Sequence, residues 1–428
     1  MRGKTTYLRP CALLILLLLL AACGDPPSMT TGRIDGEDAV RVALRVAVSE
    51  VTLGNTGGFH WRDQNVQGEV GKGDARLREV NGQIELEYSG QTHALGPGPV
   101  HLYGSGEWRL GPDIFGGALI VQKATWGGIT LVNLVAIEEY LRGVVPWEIG
   151  RPGDDALEAV KAQAIAARTY TLRHLGRWES LGFDLYADTR DQVYRGHTGT
   201  APITDRAVRE TSGQVIIFDG ELARAYYSST CGGHTSTLTD VWDREGAPYL
   251  TGRRDADVRG RSWCRESAQF RWVEEWSARE LAQKMREHLG EELEREIGPQ
   301  EFGVLESVEV LGRDASGRVQ RLGIHTDRDS FTVWGDRIRW VLRPSHSRFA
   351  ILRSTMFRIE EKRQDGALVA VVVRGAGFGH GVGLCQTGAL GRARAGQSAR
   401  EILDAYYPGA TIRPGTTIRR RGSAQAGV

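Results

Sequence analysis

The hydrophobic period of this chain changes between its first third and its middle, and that change limits what it can fold into. From Arg41 to about Val132, apolar residues come in short runs of strand character, at Val42–Val48, Gln83–Tyr88 and Ala118–Val121. The Gln83–Tyr88 run alternates apolar and polar residues and follows Asn81-Gly82, a dipeptide suited to the positive φ angles of a tight hairpin. From about Ala156 to His174 the period becomes helical, with Leu157, Val160, Ala164, Ile165, Leu172 and Leu175 on recurring turns. Asp155 followed by Glu158 has the pattern of a capping box for that helix. Ser277 with Glu280 and Ser398 with Glu401 mark two more helix starts, the first ending near Gly290 and the second stopped by Pro408-Gly409. Strands recur at Val215–Phe218, Val304–Val310, Val319–Ile324 and Leu368–Val373. The expected class is α+β. A β-rich N-terminal lobe covers 37–132, a mixed α/β core covers 133–257 and resumes over 301–412, a helical insertion covers 258–300, and 413–428 is a tail. A chain of 428 residues suffices for more than one such lobe.

The N-terminus reads as an export signal. Arg2, Lys4 and Arg9 precede an apolar run from Cys11 to Ala22 that is short for a membrane span. Leu20-Ala21-Ala22-Cys23 then matches a bacterial lipobox, which makes 1–22 a signal peptide and Cys23 the lipidated first residue of the mature chain. A plain secretory signal cut nearby is the alternative. Residues 23–36, rich in Pro, Ser, Thr, Gly and Asp, form a tether. The expected location is the cell envelope, exported and held to a membrane by lipid. With 54 basic and 53 acidic residues there is no basic excess to attract nucleic acid.

Three separated strings carry polar residues in patterned settings. Val145-Pro146-Trp147-Glu148 places an acid among apolar neighbours. Lys161-Ala162-Gln163-Ala164-Ile165-Ala166-Ala167-Arg168-Thr169-Tyr170 sets polar residues among alanines that allow close approach. Gly377-Phe378-Gly379-His380-Gly381-Val382-Gly383-Leu384-Cys385-Gln386 alternates glycine, which is neither a dinucleotide fingerprint nor a phosphate loop, so no nucleotide is implied. Such alternation suits a backbone passing close to a ligand or another strand. Together with Asp188–Gly196 and Glu401–Gly409, these strings resemble the SpoIID/LytB family from about Arg41 to about Ile412.

The resemblance implies a peptidoglycan lytic transglycosylase, a carbon–oxygen lyase, with Glu148 as its general acid and base. It makes Arg168, Gln192, Tyr194, His380 and Gln386 candidate substrate contacts. Arg168 and Lys161 read equally well as solvating a helix, and His380 as a buried structural histidine. The partners implied are peptidoglycan glycan strands and a cell-wall amidase, because the LytB branch is known as an enhancer of amidases. A non-catalytic enhancer is therefore the alternative function. Outside the cytoplasm, Cys231 and Cys264 are expected to pair as a disulfide and no cofactor is expected. The alternative is zinc on Cys231, His234 and Cys264. Some members bind zinc near here through two cysteines and two histidines, but Tyr227 stands where an upstream histidine is expected.

Overall fold

The computed structural model describes residues 33–34, 37–63, 66–344 and 350–415. The expected signal peptide, Cys23 and all of the tether except Arg33–Ile34 lie outside these, as do residues 416–428. The α+β class holds. Most strands of the first hundred described residues form two sheets. In one, the long strand Glu37–Val48 lies between the short Arg33–Ile34 and Ile129–Ala136. The order then runs through Ala118–Lys123, Val100–Tyr103, Phe59–Arg62 and Gln67–Val70, with Leu185–Tyr186 added parallel to Glu37–Val48. The other orders Asp113–Phe115, Trp108–Leu110, Glu50–Asn55, Gly73–Val80, Gln83–Tyr88 and Gln91–Ala94. The Asn81-Gly82 hairpin forms as its sequence requires, with φ of 52° and 82° at the two residues.

Ile129–Ala136 is buried on both faces, which is why no alternation marks it in the sequence. Ile129, Leu131 and Val135 enter the main core, while Val132 and Leu134 pack beneath Phe183 and Tyr186. The strand runs straight into the helix Ile137–Glu148, which the sequence reading did not include.

The alanine-rich helix is Leu157–Arg173, preceded by a 3-10 turn at Asp154–Ala156. The expected capping box does not form, because Asp155 faces Arg394 and Glu158 instead accepts the N–H of Ala399 at 2.8 Å. This carboxylate therefore caps a neighbouring helix, Ala399–Tyr406, whose own Ser398/Glu401 box is complete. Leu157–Arg173 is not an amphipathic surface helix. Residues 162–171 are all buried, and the helix packs against Ile137–Glu148, Pro202–Glu210, Gln386–Arg394 and Ala399–Tyr406.

A second hydrophobic core runs from Trp272 to Val373. Ser277 caps the helix Ala278–Leu293 as expected, though that helix continues three residues past Gly290 to end at Glu294 in the left-handed region. Its buried Leu281, Met285 and Leu289 pack with the sheets Trp272–Ser277/Ala367–Gly375/Phe357–Gln364 and Leu305–Arg313/Val319–Thr326/Ser330–Trp334. The insertion is thus a mixed α/β unit and larger than the helical one expected over 258–300. The sequence places its strands in the main core because periodicity shows that a residue is buried without showing in which core.

Candidate active site around Glu148

Glu148 is the last residue of a helix and not part of a loop. Ile137, Tyr140, Leu141, Val144 and Val145 recur at helical spacing and are all buried, which fixes the helix against the core. Pro146 misleads the sequence reading. Two residues from the end, it removes only the N–H that would have bonded the carbonyl four residues back. Ile149 donates its N–H to Val145 O, and Gly150 turns the chain away at φ 82°. Trp147 donates its indole N–H to Thr198 O at 2.9 Å, and the Arg195 guanidinium lies 4.5 Å from its ring centre. The acid therefore sits on a rigid support.

Two donors meet the Glu148 carboxyl. Val193 N–H reaches Oε1 at 3.0 Å, and the Gln386 side-chain amide reaches Oε2 at 3.2 Å. The residue is half-buried, yet its carboxyl lies among enough protein for desolvation to dominate. Burial pushes its pKa from 4.5 up to about 7, against the opposing pull of the two N–H donors. Among the described residues, no cation and no second carboxylate contributes to that shift. Glu148 thus titrates near neutral pH, where both forms are populated, while keeping donors in place for the ionised form.

The two strings that meet Glu148 do so differently. Gln386 contacts it by side chain, from the first turn of the helix Gln386–Arg394. The Asp188–Gly196 string contributes a backbone amide, because Gln192 and Tyr194 on either side of Val193 point into the protein. Gln192 is fully buried, donating to Tyr227 Oη at 2.9 Å and accepting from the hydroxyls of Thr171 at 2.9 Å and Tyr140 at 3.3 Å. Tyr194 donates to Asn133 Oδ1 at 2.8 Å and is also buried. Neither offers a polar atom to a ligand as expected, and both instead fix the loop from below. Asp191 anchors the same loop by accepting from Tyr170, Arg177, Trp178 and the Tyr186 amide.

Arg168 is 1% exposed, so the expected substrate contact is replaced by a structural one. Its guanidinium grips Glu138 through two bonds of 2.7 Å and donates to Gln214 O at 3.1 Å and Val208 O at 3.4 Å. This ties the start of the Glu148 helix to the strand Gln214–Phe218. Lys161 pairs with Glu158 and Glu210, both at 2.8 Å.

His380 is engaged by backbone on both sides. Its Nδ1 accepts the Val382 N–H at 3.0 Å, which leaves Nε2 to donate to Tyr227 O at 2.9 Å. Burial holds its pKa down at about 4, so it stays neutral. What it presents to a ligand is a ring edge beside Trp242, without a free hydrogen-bonding atom. The glycine string follows the Tyr227–Ser236 segment closely. A Cβ at Gly377 or Gly383 would meet the carbonyl oxygens of Thr230 or Tyr226 at 2.6 and 2.1 Å, and both glycines have positive φ. Close passage of another strand explains this spacing. Tyr227, a half-buried phenol whose ionisation is opposed first by burial and then by the Glu148 charge, is a site neighbour that no local pattern marks.

The expected disulfide is not formed. Cys231 and Cys264 are free, with sulfurs 3.7 Å apart against the roughly 2.0 Å of a bond. A third thiol, Cys385, and the carboxylate of Asp255 share their space, and the Cys231 thiol donates to Asp255 Oδ2 at 3.3 Å. His234 is not in this group, since its Nδ1 faces Thr235 O.

Against this geometry, comparison with known proteins gives consistent matches. The family model "Stage II sporulation protein" matches residues 125–218, and a domain of unknown function matches 262–383. The second span closely follows the Trp272–Val373 core. The chain is 31% identical to an uncharacterised protein of Brachyspira hyodysenteriae over 66% of this chain and 68% of that protein. It is 29% identical to stage II sporulation protein D of Bacillus subtilis, over 66% of this chain and 75% of that one. It is 26% identical to the amidase enhancer of the same organism over 64% of this chain, a match spanning only 40% of the enhancer.

Proposed function

The chain belongs to the SpoIID/LytB family, and from that premise we propose that it is a lytic transglycosylase cleaving peptidoglycan glycan strands in the cell envelope. The observation that carries this reading is the Glu148 carboxyl, whose pKa burial raises to about 7 and which two separate strings contact. A glycosidic oxygen leaves only as it is protonated, and Glu148 supplies the proton as the C1–O bond breaks. The resulting carboxylate then removes a proton from the 6-hydroxyl of the same sugar, whose oxygen closes on C1. One proton is lent and returned, no water is consumed, and one carboxyl suffices where hydrolases use two. Val193 and Gln386 stabilise the ionised middle state, since both donate to the oxygens that carry the charge.

A defined glycan digested by the protein should yield chains ending in 1,6-anhydro-muramic acid with no oxygen from labelled water, as read by mass spectrometry. Reducing ends carrying the label would make it a hydrolase with a second carboxylate. The 26% identity to the amidase enhancer favours one other reading, a glycan-binding partner of an amidase. That reading requires the protein to cut neither peptide-bearing nor peptide-free glycan while still stimulating the amidase.

Lipid attachment at Cys23 is the matching proposal for location. No helix among the described residues is long and apolar enough to cross a membrane. One acyl chain gives only marginal membrane binding, whereas the two or three of a lipoprotein hold firmly. Cys23→Ser should leave the protein unprocessed or free of the membrane fraction. Processed Cys23→Ser protein that still sediments with membranes would disprove the anchor.

A further inference from the structure

We propose that Cys231, Cys264, Cys385 and Asp255 form a closed tetrahedral zinc site that locks three chain segments together beside Glu148. This is not the Cys231, His234 and Cys264 set that the sequence offers as the alternative to a disulfide. Two of its four donors are different, and they come from far apart in the chain. The four donor atoms lie within 4.8 Å of one another, and each residue is at most 1% exposed. Zinc with bonds of about 2.3 Å to sulfur sets tetrahedral sulfurs roughly 3.8 Å apart. The Cys231 and Cys264 sulfurs stand at 3.7 Å, and Cys231 Sγ is 3.3 Å from Asp255 Oδ2. Three thiolates and one carboxylate suit zinc and disfavour calcium or magnesium, and a full set of four protein donors marks a structural site and not a catalytic one.

The surroundings are built for negative sulfur. Backbone N–H groups of Cys231 and Gly388 point at Cys385 Sγ at 3.1 and 3.3 Å, and that of Gly233 at Cys231 Sγ at 3.4 Å. Asp255 is oriented from outside, as ligating carboxylates are. Arg392 forks onto Oδ1 at 2.9 and 3.2 Å, and Tyr406 donates to Oδ2 at 3.0 Å. Zinc and the Arg392 guanidinium together offset three of the four donor charges, and the amide dipoles face the remainder.

The location gives the site a purpose. Cys231 opens the turn that the glycine string follows, Asp255 and Cys264 bound the loop leading to the second core, and Cys385 caps the helix whose first residue is Gln386. A metal there fixes Gln386, and with it one of the two donors to Glu148.

The full-length protein, purified without chelator, should carry one zinc per chain by elemental analysis. Replacement by cobalt should give thiolate-to-metal charge transfer and the intense d–d bands of a tetrahedral site. Asp255→Asn and Cys385→Ser should weaken zinc retention against a competing chelator by at least tenfold, whereas His234→Ala should leave it unchanged. If the cysteine variant does not fold, alkylation of the wild type gives the same information, since Cys231, Cys264 and Cys385 should become reactive together when zinc is stripped. A metal-free protein with Cys231 and Cys264 joined in a non-reducing peptide map would overturn the proposal. So would loss of zinc in His234→Ala, or one equivalent of iron in place of zinc.

Discussion

Glu148→Gln should reduce glycan cleavage by about 10³-fold or more while leaving the protein folded and able to bind glycan, because general acid or base help alone is typically worth 10²–10⁴. The amide keeps the size of the side chain and an oxygen to accept from Val193, but it has no proton to give. Folding should survive for a reason that can be stated with its sign. The Glu148 pKa rises on folding from 4.5 to about 7, so ionisation costs stability, a cost absent below about pH 4.5 and complete above pH 7. Glutamine does not carry that cost, and the variant should unfold no more easily than wild type at pH 8. The same shift sets the rate profile. On the proposed mechanism cleavage needs the protonated acid, so kcat/KM should fall tenfold per pH unit above about pH 7 and level off below it. A variant that keeps wild-type turnover, or a wild-type profile flat from pH 6 to 9, would remove Glu148 from the mechanism.

Arg168→Ala should destabilise the fold by about 2 kcal/mol, since a buried guanidinium is lost from two backbone carbonyls while Glu138 keeps the Gly213 N–H and partial contact with solvent. Arg168 is 1% exposed and serves Glu138 and two backbone carbonyls, none of which another side chain replaces in that pocket. Arg168→Lys should recover only part of the loss, because an ammonium cannot reproduce the two-pronged grip. The measurement is urea unfolding, with the midpoint lowered and the slope unchanged. A cost under 1 kcal/mol would mean that the pair contributes little. Loss of glycan binding by a fully stable variant would restore the substrate role the sequence suggested.

What could be read in the sequence followed a physical rule. Local signals with one dominant cause came through, such as the Asn81-Gly82 turn, the Ser277 and Ser398 caps, and the alternating strand Gln83–Tyr88. Features set by tertiary context did not. Ile129–Ala136 is buried on both faces and has no period to detect, and Pro146 disguised the end of the Glu148 helix. In the site, Glu148 and Gln386 were legible and do touch. Arg168, Gln192 and Tyr194 stand out as polar residues in the matching strings, but polarity does not say which way a side chain points. All three turn inward and are satisfied there. The Val193 amide was invisible, because every residue but proline has one. Asp255 lies in a stretch with no motif, and only the fold brings it to the cysteines.

The second core leaves and rejoins the rest of the chain at adjacent points. Gly377 donates its N–H to Gln269 O at 3.0 Å, and the Trp272 indole donates to Gly377 O at 2.8 Å. Roughly a hundred residues are therefore closed off by one stitch at their base, and they also touch the rest of the chain where Arg318 reaches Cys231 O at 2.7 Å, Ser236 donates to Asp314 at 2.8 Å and Gln320 donates to Asp240 at 3.0 Å. Loops on the far side of that unit can lengthen, shorten or acquire new surfaces without shifting the acid. The Glu148 site and whatever the appended unit contributes are thereby free to diversify at different rates, provided that Trp272, Arg318 and Gly377 stay in place.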